Sequence, residues 1–279
     1  MQRIELLIVG DELLSGKRQD RHLTAVIERL GDLGLELARV TMVGDDEADI
    51  AAAIRAAVAQ GSILISCGGI GGTPDDRTRQ AAGLAFERAL QQHPEATALI
   101  EARYGDRARP QRIRMAEFPV GAELIPNPVN QVAGFSVDHC HFVPGFPEMA
   151  WPMIEWLFVH RYPSLRGDAG AVEYRLRVAG LPSEGDFIAL MESTAAQHPG
   201  VKISSLPSIG KQPGEGHIEF GFRGPGAQQA CKVFQQQAAA MPETRLTVLQ
   251  ARRCGQLADQ GSHGPVVASV HIHYAELPV

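Results

Sequence analysis

The sequence predicts an α/β protein, in which a three-layer domain built on a parallel β-sheet is followed by a smaller α+β domain. In the first 90 residues, short apolar runs alternate with segments whose apolar residues have helical spacing. This order is typical of a parallel sheet with helices on both faces. Beyond residue 170 the order changes to strand, helix, two strands and helix. Hydrophobic residues make up 44% of the 279 residues, which is enough for a sizeable core.

The elements of the first domain follow in chain order. Apolar runs predict strands at residues 3–9, 35–43 and 62–67, of which the first is expected to be buried. Helical spacing predicts one helix over residues 20–33, with Gly34 as its stop signal, and another from about Asp76 onwards. A third helix begins after the acidic turn GDDEAD, since carboxylates favour a helix N-terminus. The residues expected on its buried face are Ile50, Ile54, Ala57 and Val58.

The remainder of the first domain mixes helices with short strands. Residues 93–115 are predicted to be helical, with a basic loop. The proline- and glycine-rich residues 118–147 fit short strands and turns. A helix is predicted for EMAWPMIEWLFVHRY, and YPSLRGDAG at residues 162–170 has the composition of a linker.

The change of pattern divides the chain into a first domain at residues 1–165, a small α+β domain at 170–245 and a C-terminal tail at 246–279. In the small domain, strands are predicted at residues 172–179, 201–206 and 217–223. Its helices are predicted at residues 183–197 and 225–240. The tail shows no sustained period, and its apolar run PVVASVHIHYAEL fits either a strand or an irregular end.

Charge and composition argue against several classes of protein. The net charge is −6, which does not favour a nucleic-acid partner. GFRG at residues 221–224 resembles the GxxG loop of RNA-binding domains, but it follows a strand instead of joining two helices. No apolar run reaches the length of a membrane span, and the N-terminus lacks the pattern of a signal peptide. The four cysteines form no CxxC pair, so we expect a reduced, cytoplasmic setting.

The stretch CGGIGGTPDDRT at residues 67–78 joins the third strand to a helix and predicts a phosphate site. Glycine allows close backbone approach, and the free N–H groups at a helix N-terminus bind phosphate. Thr73 and Thr78 add hydroxyl donors. Asp75 and Asp76 repel phosphate, so they indicate a hard cation such as Mg²⁺ between carboxylate and phosphate oxygens. The same residues also fit a tight turn and an ordinary helix start.

Glycine and carboxylates also follow the first two strands. Gly10, Asp11 and Glu12 come after the first strand, and Asp45 and Asp46 after the second. The carboxyl ends of parallel strands line the ligand crevice, so these segments are expected to meet at one edge. Asp11 and Glu12 fit either a metal or hydroxyl site or a helix entry. Of Asp45 and Asp46, one is expected to be a helix N-cap.

Histidines and arginines give weaker signals. His139 and His141 lie two residues apart on a predicted strand and so share a face. Two ligands are few for a metal site, which favours chance surface histidines, and His271 and His273 receive the same interpretation. The arginines of residues 103–114 fit a solvated face better than a phosphate site.

Five segments, taken in order, resemble the N-terminal domain of the competence/damage-inducible protein A (CinA) family. They are GDELLSGKRQD (10–20), VGDD (43–46), CGGIGGTPDDRT (67–78), FPVGAELIPNPV (118–129) and VPGFPEM (143–149). That domain has the molybdopterin-binding fold of the MoaB/Mog proteins of molybdenum-cofactor synthesis. The likeness covers about residues 3–160, and residues 172–240 are similar to the family's small KH-like domain. The family's C-terminal amidase domain has no counterpart here, so we expect a short, stand-alone form.

The resemblance implies a function. The expected ligand is a phosphorylated small molecule, either a pterin such as molybdopterin or a nucleotide. The expected activity is a metal-dependent hydrolase reaction on ADP-ribose-type pyrophosphates with Mg²⁺, Mn²⁺ or Co²⁺, in a homo-oligomer with no membrane partner. Binding without turnover, and a regulatory or interaction role, are the alternatives.

The resemblance also implies roles for residues. Asp45 and Asp76 match the aspartates of the fold's chemistry and are expected to be catalytic and to bind the metal. Together with the residues argued from their positions above, the predicted substrate- and phosphate-binding set is Gly10, Asp11, Glu12, Gly68, Gly69, Gly71, Thr73, Asp75, Thr78, Asn127, Pro144, Gly145 and Glu148.

Two residues depart from the family's pattern. Gly72 stands where the family has a proline, and His22 stands where it has an asparagine. The first change loosens the glycine segment, and the second alters a polar contact. Both bear on the identity of the substrate and on activity.

Overall fold

The computed structural model describes residues 2–165, 172–180, 183–208, 216–241 and 244–253. The first elements are β1 (Ile4–Val9), α1 (Asp11–Leu14), α2 (His22–Asp32), β2 (Arg39–Val43), α3 (Glu47–Ala59), β3 (Ile63–Cys67) and α4 (Thr78–Phe86). They are followed by β4 (Leu90–Gln92), α5 (Pro94–Tyr104), β5 (Glu117–Pro119), β6 (Glu123–Ile125), β7 (Gly134–Val137), β8 (Cys140–Val143) and α6 (Pro147–His160). The last elements are β9 (Val172–Gly180), α7 (Ile188–Gln197), β10 (Lys202–Ser208), β11 (His217–Arg223), α8 (Ala227–Ala239) and β12 (Thr244–Arg253).

A six-stranded sheet with the order β2-β1-β3-β8-β7-β6 forms the centre of the first part of the chain. The four strands from β2 to β8 are parallel, which confirms the predicted fold class. β7 and β6 extend the sheet in antiparallel fashion. Only two residues join β7 to β8, and such a short link permits only an antiparallel pair. The sheet is therefore mixed, with its parallel strands dominant.

Helices cover both faces of this sheet and give it three layers. Alternate side chains of β1 point to opposite faces, as strand geometry requires. Leu7 and Val9 pack in the core formed with α3, α4 and α5. Leu6 and Ile8 pack in the core formed with α2 and α6. The packing of both faces explains why β1 and β3 are buried along their whole length.

A second sheet, with the order β10-β11-β9-β12, is antiparallel throughout. Its core contains Leu176, Phe220 and Phe234, with α7 and α8 packed against the strands. Strand β9 belongs to this sheet and not to the first, as the change of pattern predicts. The domain boundaries themselves, and the likeness of this part to a KH-like domain, stay predictions.

Several elements differ from the sequence-based expectations. The strand β12 begins inside the expected small domain and runs into the expected tail, and its pairing with β9 shows that the sheet continues beyond residue 246. Helix α5 ends at Tyr104, and 3₁₀ turns at Gly105–Arg107 and Arg112–Ala116 replace the rest of the expected helix. Val58, expected to be buried, is 47% exposed. The apolar run PVVASVHIHYAEL, with His271 and His273, lies outside the described residues.

The stop signal of the first long helix is confirmed. Helix α2 ends at Asp32, and Gly34 follows with a φ of 75°, in the left-handed region that glycine adopts readily. Among the described residues, no helix has both the length and the apolar character needed to cross a membrane.

Candidate functional site

Four loops meet at the carboxyl edge of the parallel strands. They follow β1, β2, β3 and β8, and each brings a glycine to this edge: Gly10, Gly44, Gly68 and Gly145. The backbone N–H of Gly10 donates to the carbonyl of Val43, and that of Gly68 donates to the carbonyl of Val143. A cavity of about 430 Å³ opens between these loops, and we call it the loop cavity. The edge predicted to bind a ligand is therefore concave in the structure.

The glycine loop, which we define as residues 68–76, is folded tightly against its neighbours. Gly68 and Gly69 have φ angles of 108° and 69°, a region that other residues rarely adopt. A Cβ atom on Gly68 would lie 2.4 Å from the carbonyl oxygen of Val9. Close approach of two strand ends thus requires glycine at this position.

Thr78 has a structural role in the glycine loop. Its hydroxyl donates to the carbonyl of Gly68 over 2.9 Å, and its N–H donates to the carbonyl of Gly69 over 2.9 Å. The residue is fully buried. The expected contact of the Thr78 hydroxyl with phosphate is therefore not available in this conformation, because that hydroxyl already holds the loop.

Asp76 closes the far end of the glycine loop. Its Oδ2 accepts a hydrogen bond of 2.8 Å from the N–H of Thr73 and another from the Thr73 hydroxyl. A Cβ atom on Gly71 would lie 2.5 Å from the same carboxylate oxygen. Asp76 does not cap α4 and instead folds back over the loop, where it lines the loop cavity with Asp75.

Arg79 braces the glycine loop from inside the protein. This residue is 2% exposed, and its Nη2 donates to the carbonyl of Gly71 over 2.7 Å. Its Nη1 donates to the carbonyl of Arg114, which ties the loop to the segment after α5. Arg79 was not among the site residues predicted from the sequence. An arginine on the buried face of the predicted helix was a signal that could have indicated it.

Asp11 and Asp45 hold the first two loops together. The N–H of Asp11 donates to Oδ2 of Asp45 over 3.0 Å, and the N–H of Asp45 donates to Oδ1 of Asp11 over 3.2 Å. Asp46 is the N-cap of α3, because its Oδ1 accepts from the N–H groups of Ala48 and Asp49. The structure thus assigns capping to Asp46 and leaves Asp45 facing the loop cavity.

Asp45 lies in a negative environment. Partial burial is the main cause that raises the pKa of this carboxyl, and the hydrogen bond from Asp11 opposes it. The charges of Asp11, Glu12 and Asp75 raise the Asp45 pKa further. A cation placed near these carboxylates would relieve their mutual repulsion.

The acidic residues of the loop cavity fit a cation that the ligand also helps to bind. Within the described part of the chain, no three histidine, cysteine, aspartate or glutamate side chains converge on one point. The arrangement therefore does not fit an all-protein metal cage. Mg²⁺ commonly takes one or two carboxylates together with substrate phosphates, and Asp45 and Asp76 line one cavity in a way that fits this donor set.

A second cavity, which we call the side cavity, adjoins the first and has a volume of about 480 Å³. His22 lies in its wall, and its Nε2 is 3.1 Å from the carbonyl oxygen of Gly145. Since a carbonyl only accepts, Nε2 carries the proton. Burial is the main cause that lowers the pKa of His22. The residue that replaces the family's asparagine is thus a buried imidazole between two loops of the site.

The predicted site residues from Asn127 onwards differ in whether they line a cavity. Pro144 and Gly145 line the loop cavity, while Glu148 lines the side cavity and forms an ion pair of 3.1 Å with Arg21. Asn127 is 3% exposed, donates to the carbonyl of Val132 and accepts from the N–H of Val129. Its amide is occupied by its own loop, so Asn127 shapes the cavity wall instead of facing a ligand.

The loop cavity brings together most of the predicted residues. Its wall contains Gly10, Glu12, Asp45, Gly68, Gly69, Gly71, Thr73, Asp75, Asp76, Pro144 and Gly145. It also contains residues that sequence reasoning missed, namely Arg18, Tyr104, Met115, Asn130, Val132, Phe146 and Met149. Tyr104 is the last residue of α5, and Met115 lies in the 3₁₀ turn Arg112–Ala116. Periodicity alone did not reveal that these two residues reach the cavity. Arg18 lies within the quoted motif GDELLSGKRQD and was available as a signal.

His139 and His141 belong to a hydrogen-bonded group and do not form a pair of surface histidines. His141 is 1% exposed, so the expectation of a surface histidine is wrong for this residue. Its ring nitrogens lie 2.8 Å from Oγ of Ser136 and 2.6 Å from Oη of Tyr162. His139 lies 3.2 Å from the same tyrosine oxygen. These histidines are remote from the cavities described above.

Comparison with known families gives one match across more than half of the sequence. Residues 5–166 match the family model described as a probable molybdopterin binding domain. This range contains the six-stranded sheet and both cavities.

Comparison with individual proteins gives the same family. A CinA-like protein from Geobacter metallireducens is 34% identical over 207 residues, which cover 71% of this chain and 50% of that protein. A CinA-like protein from an Anaeromyxobacter species is 37% identical over 137 residues, which cover 48% of this chain and 33% of that protein. The chain thus matches about half or less of the length of these curated relatives. The crystal structure of a CinA protein of unknown function from Thermoplasma acidophilum superposes with a TM-score of 0.52 and 28% identity, covering 56% of this chain and 96% of that one.

Proposed function

Because the chain belongs to the CinA family and carries its probable molybdopterin binding domain, we propose that the loop cavity binds a phosphorylated pterin or nucleotide and hydrolyses pyrophosphates of the ADP-ribose type. The observation that carries this proposal is the placement of the glycine loop and Asp45 on one cavity wall. Backbone N–H groups and carboxylates on one cavity wall suit a phosphate that binds together with a cation.

The residues of the cavity divide the chemistry between them. The N–H groups of Gly68, Thr73 and Asp76 donate within the protein, and the other N–H groups of the glycine loop would neutralise negative charge that builds on the phosphate during the reaction. Asp45 and Asp76 would hold a divalent cation, which when bound supplies charge neutralisation and a more acidic water molecule. Arg79 and Thr78 keep the loop in one conformation, so its N–H groups need no rearrangement when the ligand arrives.

Binding without turnover is the second candidate, and one observation favours it. Oδ2 of Asp76 already accepts two hydrogen bonds from Thr73, which leaves less capacity for a cation. A carrier of a pterin or nucleotide needs the cavity and the glycine loop but no water activation. The two candidates therefore differ in turnover and not in the location of the ligand.

The rate of ADP-ribose hydrolysis by three aspartate variants tests the proposal. Asp45→Asn and Asp76→Asn keep the size and hydrogen-bonding oxygen of the side chain and remove its charge. We expect each to lower metal-dependent hydrolysis of ADP-ribose about a hundredfold or more, since charge stabilisation in the transition state is lost. Asp46→Asn is the matched control, because asparagine also caps helices and Asp46 is occupied by the start of α3.

The measurement combines product formation with Mg²⁺, Mn²⁺ or Co²⁺ and the thermal midpoint of each variant. Equal loss in all three variants would mean that charge in general, and not the two cavity aspartates, matters. A wild-type protein that binds the nucleotide or pterin but shows no hydrolysis with any of the three metals would contradict the proposed hydrolase activity and support binding without turnover. The homo-oligomer implied by the resemblance stays a prediction, which light scattering at micromolar concentration checks.

A further inference from the structure

The loop cavity and the side cavity are neighbours that share part of one wall. Val9, Glu12, Arg18, Gly145 and Phe146 line both of them. The glycine loop borders only the loop cavity, whereas α2 and its entry border only the side cavity. A ligand bound at the glycine loop therefore has a second, separate space of about 480 Å³ directly beside it.

Charge is distributed unevenly in this double cavity. Among the described residues of the loop cavity wall, Glu12, Asp45, Asp75 and Asp76 are acidic, and Arg18 is the one lysine, arginine or histidine. Arg21 in the side cavity is already engaged, since it pairs with Glu148 at 3.1 Å and lies over the ring of Trp151. Arg18 is thus the guanidinium that a phosphate in the loop cavity meets.

The structure holds the backbone of Arg18 and leaves its side chain free to move. The N–H of Arg18 donates to the carbonyl of Glu12 over 3.0 Å, which fixes the start of the segment between α1 and α2. Its Nη1 lies 3.8 Å from Oε1 of Glu12, and the two side chains are 60% and 43% exposed. An exposed pair at this distance is weak, so a phosphate can replace Glu12 as the partner. Arginine also suits phosphate because its donors form a planar fork.

The shared wall offers an aromatic surface next to this charge. Phe146 lies at the entrance to α6 and is 56% exposed, which is unusual for a phenylalanine that borders two cavities. The C–H face of a sugar, like the ring of a base, packs on such a side chain. The side cavity also contains apolar groups of Ile8 and Leu13, which suit a ring and not a second phosphate.

We propose that Arg18 binds the phosphate chain of the ligand where the two cavities meet, and that Phe146 packs against the group that continues from this chain into the side cavity. The inference rests on the proposed phosphate site at the glycine loop and adds to it. Arg18 is a binding residue in this arrangement, and Phe146 favours a ligand that carries a group beyond the phosphate chain.

Two ligands with the same phosphate chain separate these roles. The α,β-methylene analogues of ADP and ADP-ribose resist hydrolysis. The ADP-ribose analogue carries a second ribose, whose ester bond also removes one negative charge from the terminal phosphate, so each variant is compared with wild type on the same analogue by calorimetry with Mg²⁺ present. We expect Arg18→Ala to weaken both about tenfold, the size typical of a lost hydrogen bond to a charged group. Phe146→Ala should weaken only the ADP-ribose analogue.

Arg55→Ala is the matched control, because Arg55 is an exposed arginine on α3 that donates to the carbonyl of Leu84 and borders neither cavity. It should change neither affinity, and the thermal midpoints of all variants should stay close to wild type. Equal effects of Phe146→Ala on the two analogues, or unchanged binding by Arg18→Ala, would overturn the inference while the phosphate site stands. Failure of both analogues to bind the wild-type protein would instead refute the phosphate site, and the inference with it.

Discussion

At the scale of single residues, His141 shows how burial sets chemistry. The ring lies within the first sheet, with Ser136 and Tyr162 as hydrogen-bonding partners. Burial, with smaller effects of Arg161 and His139, lowers the pKa of His141 from 6.5 to about 3. The imidazole is therefore neutral in the folded protein at physiological pH, which suits a structural group and not a proton carrier.

This shift predicts how stability depends on pH. Between pH 6.5, the ordinary pKa of histidine, and about pH 3, the unfolded chain binds a proton at residue 141 that the folded chain does not. The free energy of unfolding should therefore fall as the pH falls through this range, with a contribution of up to about 1.4 kcal/mol per pH unit. Urea unfolding of wild type and His141→Gln at several pH values measures the difference. Parallel pH profiles of the two proteins would contradict the prediction.

The carboxylates of the site show where residue patterns stop being informative. The sequence indicates that one of Asp45 and Asp46 caps a helix. It does not show which one, because a helix cap and a residue that faces a ligand would both be an aspartate at this point in the chain. The choice depends on the hydrogen bonds to Ala48 and Asp49, which occupy Asp46. Thr78 was expected at the ligand for a similar reason, since a hydroxyl near a glycine turn serves a ligand or its own backbone equally well.

At the scale of elements, the glycine loop contains two kinds of glycine. A Cβ atom on Gly69 or Gly71 would lie 2.3 or 2.5 Å from a side-chain oxygen, so these positions have no space for one. A Cβ atom on Gly72 would lie 3.5 Å from the carbonyl of Gln111 and from Cγ of Met115, which is ordinary contact. Gly72 also has no positive φ angle. The position where the family has a proline therefore keeps a conformation that other residues can adopt.

Gly72→Ala should stabilise the protein. Alanine reduces the freedom of the unfolded chain without strain in the folded one, and such changes add about 0.4–1 kcal/mol to the free energy of unfolding. Gly71→Ala is the control at the adjacent position and should destabilise, because Asp76 must move. Chemical denaturation of both variants makes the comparison. Destabilisation by Gly72→Ala would show that the loop depends on glycine at residue 72 as well.

The sequence predicts the elements of the first sheet better than the walls of its cavities. Apolar runs identify β1 and β3, because a strand that is buried on both faces leaves a continuous apolar signature. They also identify β2, although this edge strand contains no buried residue and begins at Arg39 instead of residue 35. Helical spacing identifies the helices between these strands. Tyr104 reaches the loop cavity from the end of α5, Met115 from a 3₁₀ turn and Asn130 from an irregular segment, and no local period determines how such ends and turns lie over a cavity. Strand β12 was missed because it is paired on one side only and half exposed, so its apolar pattern is weak.

At the scale of the whole molecule, the two sheets have separate cores. Among the described residues, the two cores around the first sheet contain none beyond Leu165, and the core of the second contains none before Tyr174. Between the two parts, Nη1 of Arg223 lies 3.5 Å from Oε1 of Glu36, and the two side chains are 41% and 35% exposed. An ion pair with this exposure contributes at most about 1 kcal/mol.

These separate cores predict that residues 1–165 fold and bind their ligand without the second sheet. The matched Thermoplasma protein, almost all of which corresponds to 56% of this chain, supports a folding unit of this size. Because the ion pair described between the two parts is weak, the thermal midpoint of the fragment should lie within about 2–4 °C of the corresponding transition in the full chain. Calorimetric unfolding measures this, and affinity for the ADP-ribose analogue should change by less than about threefold. The full-length Glu36→Gln variant separates loss of the ion pair from loss of the second sheet. An aggregated 1–165 fragment, or one that unfolds without a cooperative transition, would show that the first sheet needs the second in order to fold.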